Sequence, residues 1–411
     1  MGSSKSCSAS AVGKCPVRRL KDARFFNSCQ VRFLNLGLVT ALVLVPRAGI
    51  SGPYPRIPVH GYVAEKAIST TVDSELAKYY LENHGTSAAT NPTWDLRIAD
   101  IEERFKSRPL NRSELKEVSD ETSPDFATLF FIRQTLSDTT NERFQTNYTQ
   151  EVKRVKSRAR FSGWAGIVRD ELKQYKLLFV PGFHYVSDKT SGADFFYERQ
   201  FMRELGLNVE LVATEEDGTI ENNAALIAAA VRAESGSRAR LILVSTSKGG
   251  PETAFALGKI LQPNETGSVK AWVSVGGLMR GTFLADEVTS WPESTVARII
   301  FLFEGMQFRG VAGLTTSASR KRINALRLPR SVLTIQYVAA PLSGDITADV
   351  RSRYLKLRRF GPNDGLTLLA DEFLPNGITI LEPGLDHFYQ EPDIYFKSLA
   401  LINIIADALA R

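Results

Sequence analysis

Leu241–Gly250 reads LILVSTSKGG, and Pro251 follows. The order is an apolar run, then small polar residues, then two glycines and a proline. It reads as a buried strand that ends in an abrupt turn and continues as a helix whose first turn accepts proline. A serine hydroxyl is a weak nucleophile unless it is held in the open beside a base, with backbone donors ready for the charge that forms on an attacked carbonyl. A strand-to-helix turn meets these needs at Ser247. Its Oγ stands clear of the sheet, the Lys248 amide is free to donate to an oxyanion, and the helix N-terminus favours negative charge. Gly249 and Gly250 suit the close approach of strand and helix. Taken alone, the run is equally well explained as a glycine-rich connection with no chemistry.

Outward from this turn, the chain beyond Lys176 alternates short apolar runs with amphipathic segments, the pattern of parallel strands with crossover helices. Strands are expected at Leu177–Val180, Asn208–Ala213, Arg240–Val244, Val269–Val275, Val332–Val338 and Ile378–Leu381. Thr219 is placed to cap a helix whose Ile220, Ala224, Ile227 and Val231 share one face, and Ile394–Leu409 reads as a closing helix. The fold class implied is α/β, a doubly wound and mostly parallel sheet over about residues 175–411, interrupted by a cap or lid insertion at about 287–330. Ligands of such sheets sit beyond the carboxyl ends of the strands, so reactive residues are expected just after them.

The chain over residues 175–410 resembles the α/β-hydrolase superfamily and its lipase-like members. The family elbow is Gly-x-Ser-x-Gly; here Ser245 replaces the first Gly, and its Cβ is expected to strain the turn. Leu177–Phe183, LLFVPGF, resembles the first central strand and its oxyanion loop, which implies that Gly182 turns the backbone and the Phe183 amide joins that of Lys248 in an oxyanion hole. His184 lines the pocket or has a structural role. Val275–Asp286, VGGLMRGTFLAD, matches the lipase stretch Gly-x-Pro-x-x-Gly-x-x-x-Ala-Asp, with Leu278 for the proline, but carries no implied catalytic role. The family order of Ser, Asp, His implies His387 as general base, since it is the sole histidine beyond Ser247. Asn363-Asp364-Gly365 resembles the turn presenting the acid, so Asp364 is preferred over Asp345, Asp349, Asp371 and Asp386; Asp386 is expected to shape the histidine loop. In the insertion, Ile299–Phe303, Met306, Phe308, Val311 and Leu314 either face an acyl chain or pack the cap onto the domain.

The resemblance implies a serine esterase or lipase that acts on small-molecule or lipid esters through an acyl-enzyme, with no metal or organic cofactor. Two alternatives stay open: a catalytically silent binding or scaffold protein of the cell envelope, favoured by Ser245, and an acyltransferase using the same triad. Four widely spaced histidines argue against a zinc site.

Upstream, residues 52–174 read as a helical, polar N-terminal extension with no buried strand. Its clearest helix opens at Ser123-Pro124-Asp125, a cap, a first-turn proline and an acid at the positive end of the dipole, and Phe126, Leu129, Phe130 and Leu136 give it an apolar side. Residues 1–51 read as a leader. Phe33–Val45 is an apolar run of 13 residues behind Arg32, too short for a bilayer span and of the length of an export-signal core. The implied destination is periplasmic or secreted; retention of residues 33–45 as an anchor, or association with a membrane surface, is the variant of this reading. The chain's formal charge is +6, and residues 1–32 alone, with seven Lys or Arg against Asp22, supply all of it. The remainder is neutral, which argues against a nucleic-acid partner. Cys7, Cys15 and Cys29 all lie in the leader, so the rest of the chain forms no disulfide and offers no thiol nucleophile.

Overall fold

The computed structural model describes residues 54–84, 91–106, 110–161, 164, 166–189, 191–234, 240–290, 308–374 and 376–410. The leader with its apolar core at 33–45, and Ile299–Phe303 and Met306 of the insertion, lie outside the described residues.

A hairpin of β1 (Ile57–Val63) and β2 (Lys66–Val72) opens the described chain. It adds two largely exposed or half-buried strands to an extension read as helical and without a buried strand. Ala64 and Glu65 both lie in the left-handed region (φ 48° and 63°), which is the two-residue turn whose twist matches antiparallel strands. Such turns usually announce themselves with Asn or Gly; Ala-Glu gives no such signal. Five helices follow, α1 (Glu75–Glu82), α2 (Pro92–Arg104), α3 (Arg112–Glu121), α4 (Pro124–Leu136) and α5 (Thr139–Phe161). Ser123 caps α4 as expected, accepting the Phe126 amide at 3.2 Å. Asp125 does more than face the dipole. It is fully buried, accepts the Asp73 amide at 2.8 Å, and takes both the amide (2.8 Å) and the hydroxyl (2.6 Å) of Ser343.

The main sheet contains β3 (Lys176–Val180), β4 (Asn208–Leu211), β5 (Leu241–Thr246), β6 (Val269–Val275), β7 (Leu333–Ala340) and β8 (Ile378–Pro383), all parallel, in the order β4-β3-β5-β6-β7-β8. Two-residue alternation sorts its side chains. Leu177, Phe179, Ile242, Val244, Val273, Ile335 and Ile380 meet α5, α6 (Phe196–Glu204) and α13 (Ile394–Leu409) on one face. Leu178, Val180, Leu241, Leu243 and Trp272 meet α7 (Ile220–Glu234) on the other, together with the helix that leaves β5, α8 (Gly249–Phe255). Each such fully buried side chain stabilises by about 1.5–3 kcal/mol. Further helices include α9 (Phe283–Thr289), α10 (Phe308–Ala312), α11 (Thr316–Ala325) and α12 (Ala348–Leu357). Among the described residues no helix is long and apolar enough to cross a membrane.

The extension and the sheet share a core: Val59, Tyr80, Ile98, Leu115, Phe126 and Phe130 pack with Val338, Ala340, Leu369 and Leu381. The outer edge of β8 is also covered. Gln145 of α5 accepts the Leu381 amide at 2.8 Å and donates to its carbonyl at 3.1 Å, and Asn141 accepts the Thr379 amide at 2.8 Å. The match is geometric, since four residues of helix rise about 6 Å and two residues of strand about 6.6 Å. An edge that would otherwise recruit another strand is thereby closed.

The order in which strands are added reverses at β3, with β4 on one side and β5 on the other, and the crevice at such a switch lies beyond the strand carboxyl ends. Ser247 follows β5 there, and Phe183 follows β3.

Candidate active site

At the end of β5 the backbone inverts. Ser247 has φ 51°, and Lys248 returns to right-handed geometry as the residue before α8. A left-handed, non-glycine residue is strained by about 1 kcal/mol or more and persists where its surroundings enforce it. Here the Ser247 amide donates to Val275 O at 3.0 Å, while its carbonyl accepts the Gly250 (3.0 Å) and Leu278 (3.2 Å) amides. The glycines are steric necessities: a Cβ on Gly249 would lie 2.6 Å from Pro181 O, and one on Gly250 would lie 2.9 Å from Gly277 Cα. Ser245, expected only to strain the turn, has a use. Its buried Oγ accepts the indole N–H of Trp272 at 2.8 Å.

His387 sits on the loop after β8, and its Nε2 is 3.1 Å from Ser247 Oγ. Its Nδ1 is 2.5 Å from Asp364 Oδ2. This network assigns the proton to Nδ1 and leaves Nε2 to accept from the serine hydroxyl. Asp364 is fully buried, and its other oxygen, Oδ1, accepts the Leu366 and Thr367 amides at 2.8 Å each. The His387 amide in turn donates to Asp364 O at 2.9 Å, so the two loops are tied by backbone as well as by side chain.

The competing acids are engaged elsewhere. Asp386 accepts the amide (2.9 Å) and hydroxyl (2.6 Å) of Thr347 and the Phe388 amide (3.1 Å), which shapes the histidine loop. Asp345 accepts the Leu342 amide at 3.0 Å, Asp371 pairs with Arg112, and Asp349 stands in the first turn of α12. His184 pairs with the Ser187 hydroxyl at 3.1 Å, and among the cap residues Leu314 is buried with Ile220, Leu278 and Ala285, Val311 packing against them. Leu314 and Val311 therefore pack the cap onto the domain, one of the two readings of the sequence.

Lys248 adjoins Ser247 in the chain. A Cβ on Gly182 would lie 3.3 Å from Ser247 Cβ, so the segment leading to Phe183 runs directly past Ser247. Among the described residues neither the Phe183 nor the Lys248 amide donates to a protein acceptor. No group of three or more His, Cys, Asp or Glu among the described residues is placed to hold a metal.

Ser247 in a left-handed turn after β5, Asp364 beyond β7 and His387 after β8, joined by hydrogen bonds at the edge of an all-parallel sheet, decide the architecture. The fold is that of an α/β-hydrolase. No family model matches the chain, and no curated protein matches it in sequence. Solved structures similar to it include a metagenomic carboxyl esterase, 22% identical over 59% of this chain and 77% of that one (TM-score 0.46). Others are a Bacillus licheniformis lipase in its mature form, 21% identical over 58% and 92% (0.44), and the Staphylococcus hyicus lipase, 12% identical over 59% and 99% (0.47).

Several functional contacts in this α/β-hydrolase fold carried no sequence signal. Arg280, noted only as part of a motif, donates Nη1 to Ala370 O (3.0 Å) and Phe373 O (2.8 Å), and its amide donates to Asp371 O (2.9 Å). Thr282 Oγ1 donates to Leu366 O at 2.5 Å, and Thr367 Oγ1 to Gly281 O at 2.9 Å. The segment thus clamps both sides of the acid loop. Arg112 of α3 grips the same loop through Asp371, Nε to Oδ1 at 3.1 Å and Nη2 to Oδ2 at 2.5 Å. Behind it, Glu372 is buried with neither carboxylate oxygen hydrogen-bonded among the described residues; burial, then the nearby Asp364 and Asp371, raise its pKa well above the glutamate range.

Proposed function

We propose that the protein is a serine hydrolase that cleaves carboxylic esters through an acyl-enzyme on Ser247. The observation that carries the reading is the continuous chain Ser247 Oγ, His387, Asp364 at the sheet's switch point, with every link at hydrogen-bond distance. In this reading His387 Nε2 takes the Ser247 proton as Oγ attacks the ester carbonyl. The amides of Phe183 and Lys248 receive the oxyanion of the tetrahedral intermediate, the imidazolium protonates the departing alcohol, and water activated by the same histidine releases the acid. Asp364 holds the imidazole in the reactive tautomer and stabilises its cation. Its other oxygen accepts two amides, which fix the orientation of the carboxylate toward the imidazole.

The substrates proposed are small-molecule or lipid esters, and the site proposed is outside the cytoplasm, reached through residues 33–45 as an export signal. Ser245, which favoured a silent scaffold in the sequence, weighs less once its hydroxyl is seen to serve Trp272. Hydrolysis of a panel of p-nitrophenyl esters of graded chain length tests the reading. Turnover by the native chain is expected, reduced about 10⁴-fold or more in Ser247→Ala. Equal rates for the two proteins, or no turnover of any ester, contradict it. A competing alcohol that diverts the acyl group at the expense of free acid would reassign the same chemistry to acyl transfer.

A further inference from the structure

Lys248 offers its amide to the oxyanion, yet its side chain is the less expected feature. It is one of the largest fully buried side chains, and its Nζ lies 2.6 Å from Glu252 Oε1, one turn along α8, with side chains 2% and 1% exposed. A buried ion pair is a poor stabiliser, because desolvation of both charges offsets most of their attraction, and apolar residues of similar size often serve stability better. What this pair does is connect. Glu252 Oε1 also accepts Asn223 Nδ2 from α7 at 2.7 Å. Asn223 closes on the turn after β4, accepting the Glu215 amide at 2.9 Å and donating to its carbonyl at 2.7 Å. From that turn Glu216 Oε2 accepts the Val186 and Ser187 amides at 2.8 Å each, and Thr214 O accepts the Tyr185 hydroxyl at 2.6 Å. The path that begins at Lys248 therefore ends in the loop that begins at Phe183. Lys248 Nζ also stands 5.8 Å from the centre of the Phe183 ring.

We propose that Lys248, Glu252 and Asn223, with Glu216 at the far end, are positioning residues that hold the Phe183 and Lys248 amides in the register an oxyanion requires. The inference rests on the ester-hydrolase reading and deepens it. A misplaced oxyanion donor loses interactions that exist only in the transition state, so the effect falls on kcat and leaves KM nearly unchanged. The charges facing Glu252 are Lys248 on its own helix and Arg322 on α11, with Asn223 on α7; burial raises its pKa to about 7 against their opposition. Glu252 therefore ionises within the pH range over which turnover is measured.

The test is steady-state hydrolysis of a p-nitrophenyl ester by the full chain, with kcat and KM separated across pH 5–9, and thermal denaturation alongside. Glu252→Gln is expected to lower kcat about 10-fold to 100-fold, up to the loss of one oxyanion donor, with KM within about 2-fold. The pH dependence of log(kcat/KM) is also expected to change near pH 7, where the carboxyl lost in the variant ionises in the native chain. Glu216→Ala removes only the loop anchor from a partly exposed position, so it decides the matter should Glu252→Gln not fold; a several-fold lower kcat with unchanged KM and melting temperature is expected. Native kcat in a folded Glu252→Gln, or native kcat in a folded Glu216→Ala, overturns the inference while leaving the hydrolase reading intact. Absence of any hydrolysis by the native chain overturns the reading on which both rest.

Discussion

Ser245 stands where the family elbow has glycine, and its hydroxyl is the acceptor for the buried Trp272 indole. Ser245→Gly, although it restores the family residue, is expected to destabilise the protein by about 1–3 kcal/mol, the cost of leaving a buried donor unpaired. Urea unfolding followed by tryptophan fluorescence measures this, and turnover per folded molecule should change less than about 3-fold. Glu372 makes the opposite kind of prediction. Burial holds its carboxyl protonated in the fold while the unfolded chain ionises near pH 4.5. Its contribution is therefore fully present below that pH and is lost as pH rises toward the raised folded value. Glu372→Gln should match the native melting temperature near pH 4 and exceed it at pH 8, where the gain in stability is expected to be on the order of 1 kcal/mol or more. A constant difference across that range would rule this out. At this scale Ser247, His387 and Asp364 were legible because each follows its own strand and only one histidine lies beyond the nucleophile. Asp371 and Asn223 were not, because their partners lie 259 and 29 residues away with no periodic signal to join them.

Among the elements, the acid loop is the one held from two directions. Arg280 and Thr282 clamp it from the segment after β6, and Arg112 from α3, over Asp371 that is 1% exposed. Arg112→Met leaves that carboxylate buried without its cation, and breaking such a pair costs about 3–5 kcal/mol. The expected readouts are a lower melting temperature together with a lower kcat, since the loop carries Asp364; loss of stability with native turnover would separate the clamp from the site. The parallel strands were legible from short apolar runs, Val269–Val275 and the closing helix Ile394–Leu409 to the residue. The β1–β2 hairpin was not, because its turn is Ala-Glu and because Pro55, Pro58 and Gly61 interrupt the alternation of Ile57, Val59 and Val63.

For the molecule as a whole, the N-terminal extension is part of the fold of the sheet. Its helices share a core with β7 and β8, α5 closes the β8 edge, Lys66 Nζ binds both Glu382 Oε1 and Pro383 O at 2.8 Å, and Asp125 holds the loop after β7. A chain begun after α5 would expose that core and an open strand edge, and is expected to be insoluble, whereas residues 54–411 should fold and retain ester turnover; solubility and circular dichroism of the two fragments check this. Sequence patterning gave no sign of its attachment, because the shared core and the polar contacts alike join residues more than 200 positions apart.

The central claim is that Ser247 is an activated nucleophile. Intact-protein and peptide mass spectrometry after treatment with a fluorophosphonate measures it most directly. One adduct per chain is expected, on the peptide containing Ser247, absent from Ser247→Ala and from His387→Ala. A folded native chain that stays unmodified, or an adduct that survives Ser247→Ala, contradicts the account.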